Sequence, residues 1–142
     1  MKTETQTIYW PLRLTYGLVP LLAGLDKYVG LLADWPSYVS PFAAAVLPVS
    51  PQAFMHVVGV VEIAVGLAVL AGITRLGAYA AAGWLVLIAG NLALAGVLDV
   101  AVRDVAMAVG AFTLARLAAL RGEALLPWGR SGARLEPAAQ GA

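Results

Sequence analysis

Four apolar stretches, each about as long as a bilayer core is thick, leave this chain very few folds. They cover residues 10–32, 52–71, 75–97 and 99–120. About 20 helical residues cross a hydrocarbon core, and in lipid each backbone N–H and C=O must be satisfied within a helix or a closed barrel. The stretches show no apolar–polar alternation, so helices are expected rather than barrel strands. Composition agrees: 61% of the 142 residues are hydrophobic and only 12% charged, with a mean hydropathy of +0.85. Soluble domains carry about 25% charged residues, so this chain has too few to coat a soluble surface. The expected fold is all-α, a polytopic membrane protein with a four-helix transmembrane bundle. Residues 1–121 would form one membrane domain. Residues 122–142, rich in Pro, Gly, Ser, Arg and Ala without periodicity, would form a mobile cytoplasmic tail.

The breaks between the stretches are informative too. Residues 33–51 contain Trp35-Pro36, Pro41, Pro48 and Pro51, a density that no continuous helix tolerates. The apolar insert 42–47 is too short to span. It is expected to form a short helix along the interface, anchored by Trp35, Tyr38 and Phe42. Tyr9, Trp10 and Trp128 read as further interface anchors. The polar start, Met1 to Thr7, precedes an apolar stretch too long for a signal-peptide core, so the first span is read as retained.

Basic residues set the orientation. With four spans, one side receives Lys2, Arg75, Arg121, Arg130 and Arg134, with Arg13 and Arg116 near its helix ends. The other receives Asp26, Lys27, Asp34, Asp99, Arg103 and Asp104. The positive-inside rule then places both termini in the cytoplasm. The expected location is the plasma membrane of a bacterium.

Within this frame Glu62 is the residue hardest to explain blandly. It lies near the middle of an apolar run, where a charge costs about 2.5–3.5 kcal/mol on insertion scales and calls for a partner. Alternating helix directions bring Lys27, His56, Glu62, Asn91 and Arg103 to one depth in the outer half of the membrane. These five are the candidate ligand-binding residues, and Arg103, Lys27 or His56 is the expected contact of Glu62. Arg13, Asp26 and Asp104 are assigned structural polar roles. Asn91 also suits interhelical hydrogen bonding. Small residues share helix faces with the charges: Gly17 and Gly24 with Arg13 and Lys27, Gly59 and Gly66 with Glu62. Such faces admit a neighbouring helix closely.

Several chemistries are excluded. The chain has no cysteine and one histidine, so disulfides, thiolate catalysis, iron–sulfur ligation and a bis-histidine haem are ruled out. No set of metal ligands is expected, nor a covalently bound cofactor. A net charge of +1 argues against nucleic acid as a partner.

The run Arg13-Leu-Thr-Tyr-Gly17 followed by Ala23-Gly-Leu-Asp-Lys27, Glu62 followed by Gly66, and Arg75 after a glycine resemble the pattern of DoxX-like membrane proteins. The resemblance covers most of residues 10–120. It implies a four-helix membrane bundle. Some members are similar to the small membrane subunit of thiosulfate:quinone oxidoreductase, and others accompany antioxidant or sulfur-transfer proteins. The lack of cysteine departs from any sulfur relay through the chain's own thiols. Three functions stay open: a redox-associated subunit binding quinone or a small anion; a structural or assembly subunit of a larger membrane complex or homo-oligomer; and a small transporter. Whether the chain catalyses a reaction is left open.

Overall fold

The computed structural model describes residues 2–126. Among them the secondary structure is entirely helical. Four long helices, α1 (Lys2–Val29), α3 (Pro51–Leu70), α4 (Thr74–Leu94) and α5 (Leu98–Leu120), are joined by short turns, except that a 3-10 turn (Trp35–Tyr38) and the short helix α2 (Pro41–Val46) lie between the first two. The tail from residue 127 onward, Trp128 included, lies outside the described residues.

Local chemistry sets the helix ends. Ser40 and Ser50 cap α2 and α3: each hydroxyl accepts from the backbone N–H three residues on, at 3.1 and 3.2 Å, and each is followed by a proline at the first helical position. At Gly72 and Gly96 the chain turns through the left-handed region, with φ of 98° and 80°. The next amides then reach back, Ile73 N–H to the Ala68 carbonyl and Val97 N–H to the Leu92 carbonyl. This closure satisfies carbonyls that a helix end leaves open.

Three boundaries differ from the sequence reading. Helix α1 begins at Lys2 rather than residue 10, so that Pro11 lies inside the helix. It stops at Val29, and α4 stops at Leu94, each before a glycine turn that the apolar pattern continues through. Tyr9 is not an interface anchor. It is fully buried, its hydroxyl lies 3.1 Å from Thr74 Oγ1, and the Arg121 guanidinium sits 4.1 Å above its ring. The extra helical turns before residue 10 carry it into the bundle. Trp10 stays half exposed.

The bundle consists of two tight pairs. Helix α1 packs antiparallel on α3 through glycines. A Cβ on Gly24 would stand 2.6 Å from the Gly59 carbonyl oxygen, and one on Gly66 2.6 Å from the Gly17 carbonyl oxygen. Helix α5 packs along α4, using Ala78, Ala81, Ala111, Leu114, Ala115 and Ala118 in the core it shares with Tyr9 and Val69. The pairs meet less closely, mainly along α3–α4 and α1–α5.

Helices α3 and α4 are long and apolar enough to cross a membrane. Helices α1 and α5, of 28 and 23 residues, have the length but carry more charge. All four expose large apolar side chains, among them Leu18 and Leu22, Val57 and Val60, Val86 and Leu87, Val105 and Phe112.

A candidate ligand site

Where the two pairs separate, they enclose a cavity of about 680 Å³, open to the bundle surface along part of its wall. Its lining is mostly apolar and draws on all four long helices, with Trp35, Tyr38 and Ala43 of the 30–50 segment at one end. Lys27, Glu62, Trp84, Asn91, Arg103 and Asp104 supply its charged and amide or indole groups.

Lys27 and Glu62 form an ion pair, Nζ to Oε2 at 2.5 Å, with both residues buried. Backbone geometry makes the pair. Side chains on a helix lean toward its N-terminus. Because α1 and α3 run antiparallel and touch at Gly24 and Gly59, this lean brings the Lys27 and Glu62 heads together. The Trp35 ring covers the ammonium, its centroid 3.7 Å from Nζ.

Asp26, one residue earlier, does different work. Its carboxylate accepts from Leu31 N–H and Leu32 N–H, each at 2.9 Å, and from Trp35 Nε1–H at 2.8 Å. It thereby ties the exit of α1 and fixes the ring that shields Lys27. Asn91 ties the same segment from α4: its amide donates to the Tyr38 carbonyl at 2.7 Å, and its oxygen accepts from Ser40 N–H at 3.0 Å. A smaller cleft of about 280 Å³, lined by Gln52 and Asp34 among others, shares Lys27, Ala33 and Trp35 with the large cavity.

Of the five residues proposed from sequence, the structure brings Lys27, Glu62, Asn91 and Arg103 to one cavity and leaves His56 out of its lining. The His56 ring stacks on Tyr28 at 4.7 Å and its Nε2 lies 2.9 Å from Gln52 Nε2, near the start of α3. A histidine one turn into the helix sits too far toward the end to reach Glu62. Arg103 does not pair with Glu62 either: it is exposed, with Asp99 at 3.6 Å one turn away on the same helix. Asp104 lines the cavity half-buried. Arg13 lies at the opposite end, where Nε and NH2 donate to the Val69 and Leu70 carbonyls at 3.0 and 2.8 Å, closing the end of α3.

Trp84 and Trp35 did not stand out as site residues in the sequence. For Trp84 a signal existed. Tryptophan in membrane helices favours the interfaces, whereas Trp84 falls in the middle of α4. Among the described residues no group of three or more His, Cys, Asp or Glu could hold a metal ion.

Neither a curated protein nor a solved structure matches the chain. The DoxX family model matches residues 9–95, which include Lys27, Glu62, Trp84 and Asn91 but not α5 with Arg103 and Asp104. That match spans more than half of the 142 residues, and the chain belongs to the DoxX family of membrane proteins.

Proposed function

We propose that the protein is a quinone-linked membrane subunit whose four long helices all cross the bilayer, and that the inter-pair cavity receives a quinone-type ring. The observation that carries this reading is the cavity itself. It is large, mostly apolar and open to the bundle surface, and it has a buried Lys27–Glu62 pair on its wall. A lipid-soluble ring fits the apolar wall. Its oxygens need hydrogen-bond donors, which the ammonium can supply. The carboxylate beside it is placed to take or give a proton when a redox partner protein supplies or removes the ring's electrons. No metal is required for such chemistry. The apolar faces that α1 and α5 expose alongside α3 and α4 support four spans. Extended apolar faces mark contact with another protein or with a membrane. The charges of α1 cost little there, because Lys27 is paired and Arg13 lies on carbonyls near a helix end.

Purification in mild detergent, lipid extraction and quinone assay test the function. Wild type is expected to carry close to one quinone per chain and Glu62→Gln markedly less. Protein free of quinone, co-purifying instead with a larger complex, would support a structural subunit. For the topology, a cysteine placed by Ser131→Cys is expected to resist an impermeant thiol reagent in intact cells. Labelling from outside would overturn the proposed orientation.

A further inference from the structure

We infer that Trp84 is the residue that orients the ligand in the cavity, donating its indole N–H to a carbonyl oxygen. The inference rests on the quinone reading and specifies how that ligand is recognised.

Most polar groups on the wall are already engaged, and the half-buried Asp104 is an acceptor. Glu62 is held by Lys27. Both amide atoms of Asn91 are used on the 38–40 backbone. Tyr16, lower on the wall, donates to the Met107 carbonyl at 2.7 Å. Among the described residues two buried side-chain nitrogens lack a hydrogen-bond partner, Arg75 Nε and Trp84 Nε1, and of these only Trp84 lines the cavity. The indole lies beside the Glu62 carboxylate but closes no hydrogen bond of acceptable geometry with it. A buried donor without a partner is costly and is rarely left so.

Indole N–H donates and cannot accept. The group that satisfies it must bring a lone pair, and a carbonyl oxygen is a better acceptor than the phenolic oxygen that replaces it on reduction. Lys27, the neighbouring cation, also only donates. Beside the Glu62 and Asp104 carboxylates the cavity thus offers donors from two helices, α1 and α4.

The test titrates wild type and Trp84→Phe with decylubiquinone and with its quinol, in detergent, following binding and the indole N–H resonances. Phenylalanine keeps an apolar ring but removes the donor. The expected result is about a tenfold loss of quinone affinity in the variant, as for one buried hydrogen bond. Quinol affinity should change less. In wild type the Trp84 indole proton should shift on quinone binding, its signal assigned by replacing Trp10, Trp35 and Trp128 singly with phenylalanine. That measurement stands even if Trp84→Phe does not fold. Wild-type affinity in the variant, or an indole signal unmoved by bound quinone, overturns the role of Trp84 and leaves the quinone reading intact. Absence of quinone binding by wild type overturns both.

Discussion

Glu62→Leu is expected to cost about 3–5 kcal/mol of stability, because it strands the Lys27 ammonium in the bundle interior. Lys27→Met should cost a similar amount by stranding the carboxylate. The double variant removes both charges and should recover most of the loss, since replacing a buried ion pair by apolar residues of similar volume is often neutral or stabilising. Denaturation of the reconstituted protein, read as a double-mutant cycle, measures the coupling. Additive losses would mean that the pair does not exist. A recovered double variant that no longer holds quinone would show that the pair is kept for the ligand and not for the fold.

Gly66→Leu should be nearly as damaging, for a steric reason. A Cβ there meets the Gly17 carbonyl oxygen at 2.6 Å and Leu21 N at 2.9 Å, both backbone atoms that cannot swing aside. Helices α1 and α3 must part, at or above the top of the roughly 1–3 kcal/mol range for overpacking. Parting them would also pull Lys27 from Glu62. Gly83→Leu and Gly90→Leu on α4 supply the contrast. Both face open space, and each change is expected within about 0.5 kcal/mol of wild type, as for other surface substitutions. Equal effects at Gly66 and Gly83 would contradict the glycine-mediated contact between α1 and α3.

The helical elements were legible because membrane segments announce themselves by length and hydropathy, and the prolines of 33–51 mark where a helix cannot continue. The glycine faces were legible by spacing alone: Gly17, Gly24, Gly59 and Gly66 lie three or four residues from their charged companions, and they meet one another in the structure. Partner choice was less so. Depth puts Lys27, His56 and Arg103 equally near Glu62, and only the lean of side chains across the antiparallel pair favours Lys27. Asn91 lines the cavity, but its amide is used up on a loop whose path no periodicity reveals. Tyr9 reads as an anchor because it stands at the edge of the apolar stretch, whereas α1 already begins at Lys2 and Tyr9 is buried in the bundle.

In the proposed site the ligand sits between the two helix pairs, against Lys27, Glu62 and Trp84. Photolabelling of the membrane-embedded protein with a diazirine-bearing quinone, followed by peptide mapping, tests it most directly. Label is expected on the inward stretches of α1, α3 and α4 around Ala23, Val58 and Leu85, which line the cavity, and should be displaced by unmodified quinone. Label confined to the outward residues Val57, Val60 and Val86, undisturbed by competitor, would contradict it.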